Sequence, residues 1–189
     1  MSAKIVFDGP GDVWFFAYGS LMWDPGFAFA EARRALLRGY HRRFCVDSTV
    51  YRGTPERPGL VLGLDAGGSC RGLAYRIAEC RREAAARYLD RRELAEDIYR
   101  LRRVSLETAE GRLPGYTLVV DRGTPYYARR LAPADEIRRI ATCRGERGTN
   151  ADYLTDAIAR LEAIGVRDGR LAALARRVAA FGASGGGAG

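Results

Sequence analysis

Histidine, lysine and cysteine are scarce in this chain of 189 residues, and each scarcity removes a class of chemistry. The single histidine, His41, stands in a basic segment with no serine or cysteine motif to partner it, so it reads as structural rather than as part of a nucleophilic site. The four cysteines, Cys45, Cys70, Cys80 and Cys143, lie far apart, form no CxxC pair and have no histidine cluster beside them. That pattern argues against a zinc site and against a disulfide framework. No apolar run is long enough to span a bilayer, and the opening MSAKIVFDGPGD turns polar before a secretory apolar core could form. The expectation is a cytoplasmic protein with free thiols and no membrane association.

Lys4 is the only lysine, so nearly all of the 31 basic residues are arginines, which genome base composition explains as readily as a need for guanidinium groups. Against 23 acidic residues they leave a net charge of 31 − 23 = +8. The arginines are scattered through expected helices and strands rather than gathered into a tract. The charge therefore gives little support to nucleic-acid binding and suits an anionic small-molecule substrate.

What the chain does have is a sharply punctuated apolar stretch, Val13 to Pro25, VWFFAYGSLMWDP. An apolar and aromatic run drives into Gly19-Ser20 and resumes with Leu21-Met22-Trp23, as in a buried strand that ends in a tight turn. Gly19 is free to adopt positive φ or to let another group approach the backbone. Ser20 adds a hydroxyl beside free backbone N–H groups, a ready site for a carboxylate or a developing oxyanion. The plain alternative is a strand-to-loop turn with a core tyrosine at Tyr18.

Residues 1–12 read as a flexible lead-in, 13–181 as one domain and 182–189, nearly all Gly, Ala and Ser, as a disordered tail. Strands are expected at Val13–Tyr18, Ala35–Ser48, Leu60–Leu64 and Gly72–Ile77, with a hairpin turn at Gly67-Gly68-Ser69 between the last two. Helical spacing follows from Glu79 to Arg92. Strands resume at Tyr99–Leu106 and Tyr116–Asp121 around a Glu110-Gly111 turn, and helices follow at Ala134–Ala141, Asn150–Ile164 and Gly169–Phe181, with Gly165 stopping the second. This order indicates an α+β fold with helices concentrated in the C-terminal half, and the long second strand and the hairpins suit a small, partly closed barrel with helices packed around it. No internal repeat is present.

Further motifs follow the YGSL turn in order: Tyr51-Arg52-Gly53-Thr54 with Arg57-Pro58-Gly59, Gly72-Leu73-Ala74-Tyr75-Arg76, Tyr88-Leu89-Asp90-Arg91-Arg92-Glu93, and Gly148-Thr149-Asn150 with Tyr153-Leu154. In this order they resemble the ChaC family of γ-glutamylcyclotransferases, from about Trp14 to about Leu174. The resemblance implies a mixed β-barrel flanked by helices, with the substrate cavity at one end of the barrel. It also implies release of 5-oxoproline and Cys-Gly from glutathione.

In that chemistry the substrate's α-amine attacks its own γ-carbonyl, so the protein supplies no nucleophile, and neither a cofactor nor a metal is called for. A carboxylate with a raised pKa must take a proton from the α-ammonium and return one to the leaving nitrogen. The resemblance gives that role to Glu93; on residue type alone it reads as a surface glutamate paired with Arg91 or Arg92. It implies a pocket around Tyr18, Gly19, Ser20 and Leu21, with Tyr18 lining it or packing in the core. Arg52 becomes a clamp for the glycyl carboxylate, or else a partner of Glu56, and Tyr153 a group that closes the pocket. Asn150, just before ADYL, reads as a helix N-cap.

Beyond Glu93 the LAED stretch departs from the glycine-containing sequence of the glutathione-acting relatives, which bears on substrate choice. Glu83, Glu96 and Asp97 lie close enough in sequence to tune Glu93 or replace it. Other γ-glutamyl amino acids or amines are the alternative substrates, and a non-catalytic ligand- or RNA-binding module is the alternative of another class. A monomer is expected.

Overall fold

The structure, a computed structural model, describes residues 5–94, 97–129 and 131–185. Elements run in the order β1 (Val13–Ala17), β2 (Glu31–Ser48), β3 (Gly59–Ile77), α1 (Arg82–Glu93), β4 (Tyr99–Thr108), β5 (Gly111–Val120), α2 (Pro133–Thr142), two-residue strands β6 (Arg144–Gly145) and β7 (Gly148–Thr149), α3 (Asn150–Ala163) and α4 (Gly169–Gly185). The five long strands close a barrel in the order β1-β3-β2-β4-β5. β1 is antiparallel to β3 and parallel to β5, so the barrel is mixed, as the family resemblance implies.

The stretch expected as one domain contains two compact units. One comprises residues up to Arg42 together with Gly63–Pro125, and the other Arg43–Leu62 with the chain from Tyr126 onward. In the first unit, Phe16, Leu37, Leu64, Ala74 and Leu106 form a core with Tyr18 and Val119. Successive strand residues point to opposite faces. Phe15 accordingly leaves that core and meets Phe27 edge-on, and Phe27 in turn meets Tyr75 and Tyr88. Burial on both faces is why VWFFA reads as a continuous apolar run.

Residues 5–12, expected to be flexible, are anchored. Ile5 and Phe7 are buried, and Arg82 donates to the carbonyls of Phe7, Gly9 and Gly11. The hairpin expected at Gly67-Gly68-Ser69 does not form: β3 runs unbroken through both glycines, which sit at φ 101° and 71°. Positive φ marks an irregular point within a strand as readily as a turn, and here the strand continues.

In the second unit α2, α3 and α4 pack on one another, burying Ile137, Ile140, Leu154, Leu161, Leu171 and Val178. Helix α3 stops as its sequence predicts. Gly165, at φ 72°, donates to Glu162 and Val166 to Leu161, a Schellman closure. Helix α4 runs on to Gly185, into the stretch expected as a tail, and residues 186–189 lie outside the described residues.

Candidate active site

In the first unit the chain leaves β1 at Tyr18 and makes a single 3-10 turn at Ser20–Met22, closed by Met22 N–H to the Gly19 carbonyl at 2.8 Å. The turn's own bonds begin at Met22, so the N–H groups of Ser20 and Leu21 at its start stay outside them. Gly19 has φ −129° rather than positive φ, and a Cβ placed there would meet nothing within 4 Å. What the position offers is open space beside the backbone. Tyr18, Leu21 and Met22 are buried, so Leu21 contributes its backbone rather than its side chain.

Side chains from three other elements pin this turn. Arg42 on β2 is itself buried and donates through Nε to the Tyr18 carbonyl and through Nη2 to the Arg71 carbonyl at 2.8 Å. The same Nη2 lies 3.7 Å from the Met22 sulfur, so one guanidinium grips both sides of the turn. From β3, the Tyr75 hydroxyl donates to the Met22 carbonyl at 2.7 Å. From α1, Arg92 donates to Ser20 Oγ at 3.0 Å and to the Asp24 carbonyl at 2.7 Å.

Glu93 is the last residue of α1, inside the helix rather than after it. Its side chain is 18 % exposed, and one carboxylate oxygen lies 3.1 Å from Arg92 Nε. Burial pushes its pKa above the ordinary glutamate value, and the Arg92 charge and hydrogen bond pull back less strongly. The two readings of Glu93 thus meet in one geometry: it is paired with Arg92, yet it is not a surface residue. Arg92 also donates to the Tyr88 hydroxyl at 2.8 Å. Gly26 makes room for that phenol, since a Cβ there would fall 1.8 Å from the Tyr88 oxygen.

Of the other acids near Glu93 in sequence, Glu83 is exposed and pairs with Arg87. Asp97 is exposed and at φ 51°, and Glu96 lies outside the described residues.

Arg52 and Tyr153 come together in the second unit. Arg52 places its guanidinium over the Tyr153 ring, 5.1 Å from the centroid, and donates to the Thr149 carbonyl at 3.1 Å. It makes no ion pair with Glu56, whose carboxylate is engaged by Thr54 and its own backbone. Tyr153 accepts from the Leu62 amide at 3.4 Å and meets Phe44 edge-on. The loop that carries Arg52 closes tightly: a Cβ on Gly53 would lie 2.1 Å from the Gly59 nitrogen, and one on Gly59 2.1 Å from the Arg52 carbonyl. The Arg-Gly-Thr and Arg-Pro-Gly motifs therefore close one loop through direct backbone approach.

Asn150 is not the N-cap. Thr149 takes that place, accepting from the Asp152 amide at 3.0 Å. Asn150 is fully buried, and its carboxamide accepts from Leu60 N–H at 2.6 Å and donates to Leu60 C=O at 2.7 Å. His41 bonds the Gly67 carbonyl at 2.8 Å, in keeping with a structural part. Among the described residues no group of three or more His, Cys, Asp or Glu side chains converges in a way that could hold a metal ion.

Sequence reasoning did not single out Arg42, and it named Tyr75 only within a motif and Arg92 only as a surface partner of Glu93. Arg42 sits in a His-Arg-Arg run where only strand alternation separates the inward side chain from its neighbours.

The profile of one protein family, described as ChaC-like protein, matches residues 13–181. The chain belongs to that family. Among curated ChaC relatives, the glutathione-specific γ-glutamylcyclotransferase of Escherichia coli (strain K12) is 37% identical over 164 residues, which cover 84% of this chain and 69% of the relative. Glutathione-specific γ-glutamylcyclotransferase 1 of Mus musculus is 36% identical, with 77% and 69% covered. γ-Glutamylcyclotransferase 2-3 of Arabidopsis thaliana is 32% identical, with 88% of each chain covered. The ChaC chain also shares its fold with the crystal structure of a yeast γ-glutamyl cyclotransferase specific to glutathione, at TM-score 0.78 over 91% of this chain and 97% of that one, with 21% sequence identity.

Proposed function

We propose that this chain is a glutathione-specific γ-glutamylcyclotransferase with Glu93 as its proton carrier. The observation that carries the reading is the Glu93 carboxylate: mostly buried, raised in pKa, and joined through Arg92 to the Ser20 turn. Relatives at 37% and 36% identity that bear the glutathione-specific name support the choice of substrate.

The sequence of events follows from these groups. Ionised Glu93 accepts a proton from the substrate's α-ammonium, and the freed amine attacks the γ-carbonyl of the same molecule, forming the C–N bond of the five-membered lactam. Negative charge gathers on the former carbonyl oxygen. Protonated Glu93 then delivers its proton to the departing amide nitrogen as the original C–N bond breaks, takes the second proton from the attacking nitrogen, and passes it to the released Cys-Gly amine. The products are 5-oxoproline and Cys-Gly, and Glu93 returns to its starting state.

Nucleophile and electrophile arrive already tethered, so orienting the γ-glutamyl arm supplies much of the rate, with effective molarities of roughly 10⁵ M or more. The Ser20 and Leu21 amides beside the open face of Gly19 take the α-carboxylate or the developing oxyanion, and a preorganised donor of this kind contributes about 3 kcal/mol in the transition state. Tyr18 lines this turn from the core side. For Arg52, the reading is that its guanidinium takes a substrate carboxylate, with Tyr153 as the aromatic surface that fixes its plane.

The chain acts as a monomer in this reading: the large apolar side chains left exposed among the described residues are few, Val6, Phe29, Val50, Tyr51 and Phe181. Four free thiols fit a cytoplasmic setting.

The test is a substrate panel. Purified protein is incubated separately with reduced glutathione, γ-glutamyl amino acids and γ-glutamylamines, and 5-oxoproline is quantified by mass spectrometry. Release from glutathione well ahead of the others is the expected result. Release from γ-glutamyl amino acids alone would move the substrate assignment, and no release from any of them would remove the enzymatic reading.

A further inference from the structure

Arg92 physically joins the parts of the site. Its Nε meets Glu93, its Nη2 meets Ser20 Oγ, and its Nη1 is divided between the Asp24 carbonyl and the Tyr88 hydroxyl. Adjacent residues on a helix do not face each other, so the contact with Glu93 requires the Arg92 side chain to bend toward its neighbour while its far end reaches the loop after β1. An arginine that only tethered a loop to α1 would need the carbonyl and hydroxyl contacts alone. This one directs a fourth contact at the carboxylate assigned to proton transfer. A planar fork with five donors can hold all four acceptors in one fixed frame, which an ammonium cannot.

We infer that Arg92 is a positioning residue for the cyclisation: its guanidinium fixes the Glu93 carboxylate relative to the Ser20 turn and holds a positive charge 3.1 Å from it. The inference rests on Glu93 being the proton carrier. Among the described residues, Arg92 is bonded to Glu93, and Tyr88 of α1 and Asp24 of the loop after β1 lie on the far side of that guanidinium. Of these, Arg92 acts directly on the carboxylate, and it opposes the effect of burial.

The test compares wild type with R92Q and R92K, and reads both the steady-state kinetics of 5-oxoproline release and the titration of the Glu93 carboxyl carbon by NMR. In R92Q the Glu93 midpoint and the acid limb of kcat/KM move to higher pH together. At the same time kcat falls by about 10- to 100-fold, as expected when a reacting group is misplaced by about an ångström, with a smaller change in KM. In R92K the charge remains but the fork is lost, so the midpoint stays near wild type while kcat still falls.

Wild-type kcat and an unmoved midpoint in R92Q would overturn the inference, as would wild-type kcat in R92K. If R92Q fails to fold, as judged by circular dichroism, R92K decides the positioning role. A wild type with no activity on glutathione would defeat the functional reading, while the carboxyl titration, which needs no substrate, still decides what Arg92 does to Glu93.

Discussion

Two opposed effects act on Glu93. Burial at the end of α1 disfavours the charged carboxylate, the Arg92 guanidinium favours it, and burial is the larger. The balance has a consequence for stability. Between the ordinary glutamate value of about 4.3 and the raised value in the folded protein, the native state holds a proton that the unfolded chain has released, so stability falls as pH rises through that window. Glutamine imitates the protonated form and escapes this loss. E93Q should therefore melt above wild type at pH 7 to 8, with the gap closing as pH falls below about 4; thermal unfolding across that range checks the sign. Glu93 was legible through its motif, and its ion pair with Arg92 through adjacency. The sequence could not say that the same glutamate is both paired and buried, because burial is set by α1 lying against the turn after β1.

At the scale of elements, polar side chains in each unit reach carbonyls in distant segments. Arg42 and Tyr75 do so for the YGSL turn, and Asn150 for the start of β3. Asn150 satisfies both backbone groups of buried Leu60. Removing the carboxamide leaves two buried groups unpaired, at about 1–3 kcal/mol each. Loss of the Thr149 cap costs about 1 kcal/mol. N150A should therefore lower Tm by roughly 4–24 °C and T149A by roughly 2–4 °C, taking about 2–4 °C per kcal/mol for a chain of this size. Equal shifts would contradict the assignment. Local rules located the Gly165 stop and the strand-turn-strand of β4 and β5, because those signals lie within a few residues of what they decide. They placed a hairpin at Gly67-Gly68 and a cap at Asn150, where the deciding partner, the continued strand in one case and Leu60 in the other, is far away in sequence.

For the whole molecule, the net charge of +8 and the anionic substrate are linked by a field that salt screens. Raising ionic strength from about 50 to about 500 mM shortens the Debye length from roughly 14 to roughly 4 Å. The account expects KM for glutathione to rise over that range with kcat little changed, and tight, salt-sensitive RNA binding to be absent. A flat KM would show that contact groups, not the surrounding field, gather the substrate. The α+β class and a small barrel could be read from the order of strands and helices, and its mixed character from the family motifs. The division into two compact units could not: residues 43–62 belong with the C-terminal helices although they lie in the middle of the strand-rich half, and no change of composition marks either boundary.

The central claim is that Glu93 carries the proton in an intramolecular cyclisation of glutathione. Purified wild type and E93Q, each verified as folded, are given reduced glutathione without added metal or nucleotide, and 5-oxoproline and Cys-Gly are followed together by mass spectrometry. The account predicts equimolar release of both products by wild type and a rate about 10²- to 10⁴-fold lower in E93Q. Wild-type turnover by folded E93Q would contradict it.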